Sequence, residues 1–72
     1  MIQIKMRPID MRIIKMLLES DYYLTTLQIS KGASISWNTA ERHLKELFKK
    51  GWVYKKEAGR TAYWKARIAN NN

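Results

Sequence analysis

The stretch "SISWNTAERHLKELFKKGW", residues 34–52, repeats apolar side chains at the spacing of an α-helix. Ser36 is suited to cap the start of this helix and Gly51 to end it, which predicts a helix over residues 36–50. An α-helix advances about 100° per residue, so the apolar residues fall on one arc. That arc consists of Ala40, Leu44, Leu47 and Phe48. One side of the helix is therefore expected to pack against a core.

The opposite side of the same helix carries hydrogen-bond donors. An arc about 60° wide contains Asn38, Arg42, Lys45 and Lys49. A stripe of this kind fits the DNA major groove, where asparagine pairs with adenine, arginine with guanine, and lysines reach phosphates. The alternative is a solvated, lysine-rich surface. Asn38 in the first turn, with Arg42 one turn later, favours nucleic acid.

The aromatic residues and the single histidine near this helix have different expected roles. Trp37 falls near the edge of the apolar arc, so it either shields the end of the core or lies at a groove edge, against a sugar or a thymine methyl. Trp52 and Trp64 are predicted to be core residues. His43 has neither a cysteine nor a second histidine to complete a metal site, so it is expected to border the core or hydrogen-bond locally.

Two further helices are predicted upstream. Pro8 suits a first helical position, and residues 9–20 carry a broad apolar stripe. Asp10, in the first turn, has the negative charge that interacts favourably with the helix dipole. A second, shorter helix is predicted over residues 26–32. Thr25 and Gln28 form a capping-box pattern at its start.

Leu24 and Ile29 are placed around that start as a hydrophobic staple. Gly32 and Ser34 are expected to break the second helix, because both are poor helix-interior residues. Residues 1–7 alternate apolar and polar side chains, which predicts an extended arm or a short extra strand.

Downstream, "WVYKKE" (52–57) and "TAYWKAR" (61–67) read as two strands of a hairpin. Gly59, in the connection, can supply a positive φ. The predicted fold class is thus α+β, with three helices followed by a two-stranded hairpin. Residues 8–68 are expected to form the domain, and residues 69–72 a flexible tail.

The composition limits the classes of function. A chain of 72 residues predicts one domain, and its net charge is +8. Nine of the 14 basic side chains, but only three of the six acidic ones, fall in residues 37–72, which suggests a polyanionic partner. The absence of cysteine excludes disulfides and thiolate metal sites and favours a cytoplasmic protein. No catalytic constellation, cofactor motif or membrane-spanning run is found, so the protein is expected not to be an enzyme and to need no cofactor or metal.

The sequence resembles the winged helix-turn-helix family of DNA-binding proteins. "LQISKGASISWNTAERHLKELFKKGWV" (27–53) is similar to the family's short helix, turn and recognition helix with a closing L-x-x-x-G, and "KKEAGRTAYW" (55–64) to its wing. The resemblance covers about residues 8–68. Ser34 departs from it, since a turn glycine is common there, as does Ala33, where a larger apolar residue is usual.

The resemblance implies that helix 36–50 enters the major groove while the wing, 53–67, meets the backbone or minor groove. It also implies a phosphate contact at the start of the second helix. Carried over to this chain, these contacts fall on Thr25 or Thr26, Ser36, Trp37, Asn38, Arg42, Lys56 and Arg60.

The sequence therefore predicts a sequence-specific double-stranded DNA-binding protein that regulates transcription, similar to small stand-alone regulators of archaea, plasmids or viruses. It is expected to be a monomer in isolation, able to dimerise on DNA, with no small-molecule effector. Two alternatives stay open: a winged-helix module for protein–protein contact, and an RNA or non-specific nucleic-acid binder.

Overall fold

The computed structural model describes residues 6–67. Within that range the chain forms α1 (Pro8–Glu19), β1 (Leu24–Thr25), α2 (Thr26–Ala33), α3 (Trp37–Lys49), β2 (Val53–Ala58) and β3 (Thr61–Ala66). The predicted α+β class is confirmed. Most of the predicted arm and the whole predicted tail lie outside the described residues; Met6, the first described residue, packs against the core.

The predicted start of α2 is confirmed in detail. The backbone N–H of Gln28 donates to Thr25 Oγ1 (3.1 Å), and the backbone N–H of Thr25 donates to Gln28 Oε1 (2.9 Å). This reciprocal pair satisfies two donors that a helix start would otherwise leave unpaired.

The end of α2 differs from the prediction by one residue, because Gly32 lies inside the helix. A Cβ at this position would clash with the terminal methyl of Met16, so the missing side chain leaves room for α1. Ser34 makes the actual break, with φ 58° and ψ 46° in the left-handed region. Serine thus adopts the conformation for which glycine is usually selected.

Both predicted ends of α3 are confirmed. Ser36 Oγ accepts from the backbone N–H of Thr39 (3.1 Å) at the start. Gly51 has φ 80° at the end, and the N–H of Trp52 then returns to the carbonyl of Leu47 (3.0 Å). This closure turns the chain directly into β2.

The sheet has three strands in the order β1-β3-β2, all antiparallel, where the sequence predicted a two-stranded hairpin and an arm or extra strand in residues 1–7. The additional strand, β1, pairs Leu24 with Trp64 and Thr25 with Tyr63. Two residues are too few to show a strand periodicity, so no pattern marked it. The predicted hairpin is confirmed, with a two-residue loop in which Gly59 has φ 63°.

The core lies between the three helices and the inner face of the sheet. Its buried apolar residues are Ile13, Ile14, Leu17, Ile29, Ala33, Ala40, Leu44, Leu47, Val53 and Trp64. Trp64 is buried as predicted, and its indole N–H donates to Thr26 Oγ1 (2.9 Å). Trp52 is half-buried and packs against this core.

The apolar arc of α3 differs at one edge from the prediction. Phe48, expected in the core, is 48% exposed and touches Trp64 edge-on, with ring centroids 6.5 Å apart. His43 takes a core position instead and is only 4% exposed. The buried arc is therefore shifted from Phe48 toward His43. The polar ring of His43 can enter the core because it has a buried hydrogen-bond partner.

Candidate nucleic-acid interface

The outward side of α3 presents the four predicted donors together. Asn38, Arg42, Lys45 and Lys49 are all exposed and lie opposite the buried face of the helix. Lys45 approaches Glu41 (Nζ to Oε2, 3.7 Å), whereas Arg42 and Lys49 form no salt bridge among residues 6–67. We define these four residues as the donor stripe. It is a polar surface that the core does not use.

A buried pair holds α3 against α1. His43 Nδ1 lies 2.7 Å from Asp10 Oδ1, and Asp10 Oδ2 accepts from the backbone N–H of Arg7 (3.2 Å). Burial acts to raise the pKa of Asp10, but the hydrogen bonds from His43 and Arg7 outweigh it and lower the pKa from its ordinary value of 3.8. Of the two roles expected for His43, the structure therefore supports the position at the core rather than the local hydrogen bond, because its partner is 33 residues away.

Arg7 connects the buried Asp10–His43 pair to the protein surface. Its guanidinium bonds Asp10 and also Glu46 of α3, and these carboxylates raise the pKa of Arg7. Both members of the pair stand out in the sequence: Asp10 is an acidic residue in the first turn of α1, and His43 lies beside the apolar arc of α3. No feature of the sequence indicates that these two side chains contact each other.

The two threonines at the start of α2 have different environments. Thr26 is buried, and its hydroxyl accepts from the indole of Trp64. Thr25 is half-exposed, although its hydroxyl already serves the capping box. Of the two, Thr25 is the residue whose side chain can be approached from outside.

A groove separates the start of α2, the start of α3 and the wing, with a volume of about 380 Å³. Trp37 lines it, is 44% exposed and is not part of the core cluster. Lys45 of the donor stripe and Arg60 of the wing tip line the same groove. Trp37, at the start of α3, therefore lies on the surface that faces the wing across this groove.

The winged helix-turn-helix DNA-binding family matches residues 6–54, which include all three helices and the start of the wing. This chain belongs to that family. No match was found among curated proteins, and none among solved structures.

In this winged helix domain the wing residues divide between two surfaces. Arg60 occupies the hairpin loop and is exposed beside the groove. Lys56 instead lies on the face of the sheet that points away from α3, with its ammonium 5.3 Å from the ring centre of Tyr23. The structure thus brings Arg60, but not Lys56, to the surface that α3 shares with the groove.

The described part of the winged helix domain has neither a candidate metal site nor a membrane-spanning helix. Residues 6–67 contain no cluster of three or more histidine, aspartate or glutamate side chains that could hold a metal ion. Over the same residues, no helix has the length and apolar character needed to cross a membrane.

Proposed function

We propose that this winged helix domain binds double-stranded DNA sequence-specifically and regulates transcription, with α3 in the major groove. The observation that carries the proposal is the donor stripe, which is exposed along one side of α3 and opposite its core face. A major groove about 12 Å wide admits a helix, and the stripe supplies groups that pair with base edges.

Within the stripe, Asn38 and Arg42 are assigned to bases and the lysines to phosphates. Asn38 lies in the first turn, the end of a recognition helix that contacts base edges in helix-turn-helix docking. Arg42 lies one turn later, on the same side and with no salt bridge among the described residues. Both side chains have the shape for a bidentate contact, with adenine and guanine respectively.

In the proposed complex the duplex lies across the groove and meets the wing tip and two helix starts. Arg60 at the wing tip reaches a backbone or minor groove next to the segment read by α3. Thr25 and Ser36, at the starts of α2 and α3, approach phosphates, since helix starts attract anions. Trp37, which lines the groove, lies against a sugar or a thymine methyl.

Selection from a random duplex pool at physiological salt tests this assignment. The wild-type domain is expected to enrich one short motif, and Asn38→Ala and Arg42→Ala are each expected to relax one position in it, at a cost of about 1–3 kcal/mol. Lys15→Ala is the matched control, because Lys15 is exposed on α1 and is not part of the donor stripe.

Enrichment of no motif would contradict sequence-specific recognition and leave a non-specific binder. A motif that both α3 variants still select as sharply as the wild type would contradict the assignment of α3 to the major groove. Footprinting on DNA that carries the selected motif beside a promoter would then test the regulatory role.

A further inference from the structure

The outer face of the sheet, turned away from α3, is a second surface rich in aromatic and basic side chains. Successive strand residues alternate between faces, and the strand register places one set together. We define the outer sheet face as Tyr23, Tyr54, Lys56, Tyr63, Lys65 and Arg67. Three of the chain's four tyrosines belong to it.

Tyrosine and lysine alternate across this face. Lys56 of β2 pairs with Tyr63 of β3, and on the next row of the same face Tyr54 of β2 pairs with Lys65 of β3. Same-face neighbours in a sheet of this kind lie about 5–7 Å apart. Rings and cations are therefore interleaved at the distance of adjacent side chains.

Two of the three cations of the outer sheet face lie against its rings, and the third, Lys65, donates to the backbone carbonyl of Ser20 (3.2 Å). The Lys56 ammonium is 5.3 Å from the ring centre of Tyr23, and the Arg67 guanidinium is 5.6 Å from that of Tyr54. Tyr54 is nevertheless 48% exposed. The Tyr54 ring is thus held in place by a cation–π contact and still presents surface to a ligand, while Tyr23 and Tyr63 are partly exposed beside it.

Carboxylates are absent from the strand residues of this face. Glu57, the acidic residue of β2, points to the α3 side, where it pairs with Lys55 (3.2 Å). The outer sheet face therefore combines positive charge with exposed aromatic surface, and its charge is complementary to an anion that also offers flat apolar groups.

We propose that the outer sheet face binds single-stranded DNA, with bases stacked on the tyrosines and phosphates bound by its two exposed cations, Lys56 and Arg67. Base stacking on aromatic side chains, next to basic groups that follow the backbone, is how sheets bind single strands. A duplex does not satisfy this surface, because its base faces are already stacked. An acidic peptide would pair with the cations but leave the rings uncovered, and a second copy of the face would bring like charges together.

DNA rather than RNA is the chosen strand because the domain belongs to a DNA-binding family. The proposal goes beyond the proposed function, since it uses the face of the sheet opposite to α3 and the groove. The two can therefore fail separately.

Fluorescence anisotropy with a labelled oligothymidine of about 12 nucleotides tests the proposal at physiological salt. Tyr54→Ala is expected to weaken binding by roughly 5- to 150-fold, the effect of losing one stacked base, while Tyr54→Phe keeps most of the affinity. Tyr22→Ala is the matched control, because Tyr22 is 79% exposed and lies outside the strands. It is expected to bind like the wild type, and circular dichroism checks that each variant is folded.

A second measurement does not depend on variants. An oligonucleotide carrying 5-iododeoxyuridine is expected to photocrosslink to peptides that contain Tyr54 or Tyr63. The proposal is overturned if crosslinks fall on α3, or if Tyr54→Ala and Tyr22→Ala bind the oligothymidine equally well. It is also overturned if the matching oligoribonucleotide binds more tightly, or if polyglutamate of equal charge competes as well as unlabelled oligothymidine does.

The outcome is separable from that of the proposed function. Tyr54→Ala is expected to select the same duplex motif as the wild type, since Tyr54 does not line the groove and is not in the donor stripe. Loss of motif selection in this variant while it stays folded would show that the outer sheet face serves the duplex, and would overturn the proposal.

Discussion

The imidazole of His43 lies 2.7 Å from the carboxylate of Asp10, and both side chains are buried. This pair joins the middle of α3 to the first turn of α1. It fixes the rotation of α3, and with it the direction in which the donor stripe points. The buried Asp10–His43 pair and the donor stripe therefore lie on opposite sides of the same helix.

Removal of the Asp10 carboxylate should destabilise the fold. Asp10→Ala leaves His43 and the Arg7 backbone N–H without their partner, and taking one member from a buried pair costs about 3 kcal/mol. Urea unfolding at neutral pH measures the change. Asp21→Ala, at an exposed aspartate, is the control; an equal effect of the two substitutions would show that the buried pair adds nothing.

Acid unfolding should depend on the same carboxylate. Because folding lowers the pKa of Asp10, its stabilisation is complete above the ordinary value of 3.8 and is lost as the pH falls through the lower folded pKa. Asp10→Asn should therefore show a smaller fall in unfolding free energy below about pH 4 than the wild type. Urea titrations at several pH values test this, with Asp21→Asn as control. Parallel curves for wild type and Asp10→Asn would contradict it.

Thr26 is expected to act through the core. Thr26→Val keeps the shape but removes the acceptor of the Trp64 indole N–H, and a buried donor without a partner costs about 1–3 kcal/mol. Thr26→Ser, which retains a hydroxyl, should recover most of the loss. Thermal melts measure both variants. Duplex affinity measured well below the melting temperature should stay unchanged. A lower affinity would instead show that Thr26 contacts DNA.

Trp37 separates stability from binding. It is half-exposed and outside the core, so Trp37→Ala should leave the melting temperature nearly unchanged, as exposed substitutions usually stay within about 0.5 kcal/mol. Affinity for the selected duplex should fall. Replacing thymines of the motif by uracils then asks whether the ring meets a thymine methyl. A lower melting temperature with unchanged affinity would make Trp37 a structural residue instead.

Arg60 should contribute sequence-independent affinity. Arg60→Ala is expected to weaken binding to specific and random duplexes alike and to reduce the slope of log affinity against log salt by about 0.9, the loss of one phosphate contact. Lys15→Ala should change neither. Titrations across a range of salt concentrations measure the slope, and an unchanged slope would mean that the wing tip does not reach DNA.

Local signals in the sequence were sufficient for most elements. The capping box of Thr25 and Gln28, the Ser36 cap and the left-handed Gly51 act within a few residues, so their chemistry is legible before any tertiary contact forms. Helical periodicity likewise placed the donor stripe opposite Ala40 and Leu44. For this reason the helices, the hairpin and the fold class followed from the chain itself.

Tertiary structure decided what depends on partners far apart in the chain. The Asp10–His43 pair spans 33 residues, and it placed His43 rather than Phe48 in the core. Strand β1 exists because Leu24 and Thr25 meet β3, and the face of Lys56 follows from the register of β2 with β3. Periodicity reports the side of an element on which a residue lies. Only packing decides which other element covers that side, because the energies of burial and pairing belong to contacts between segments.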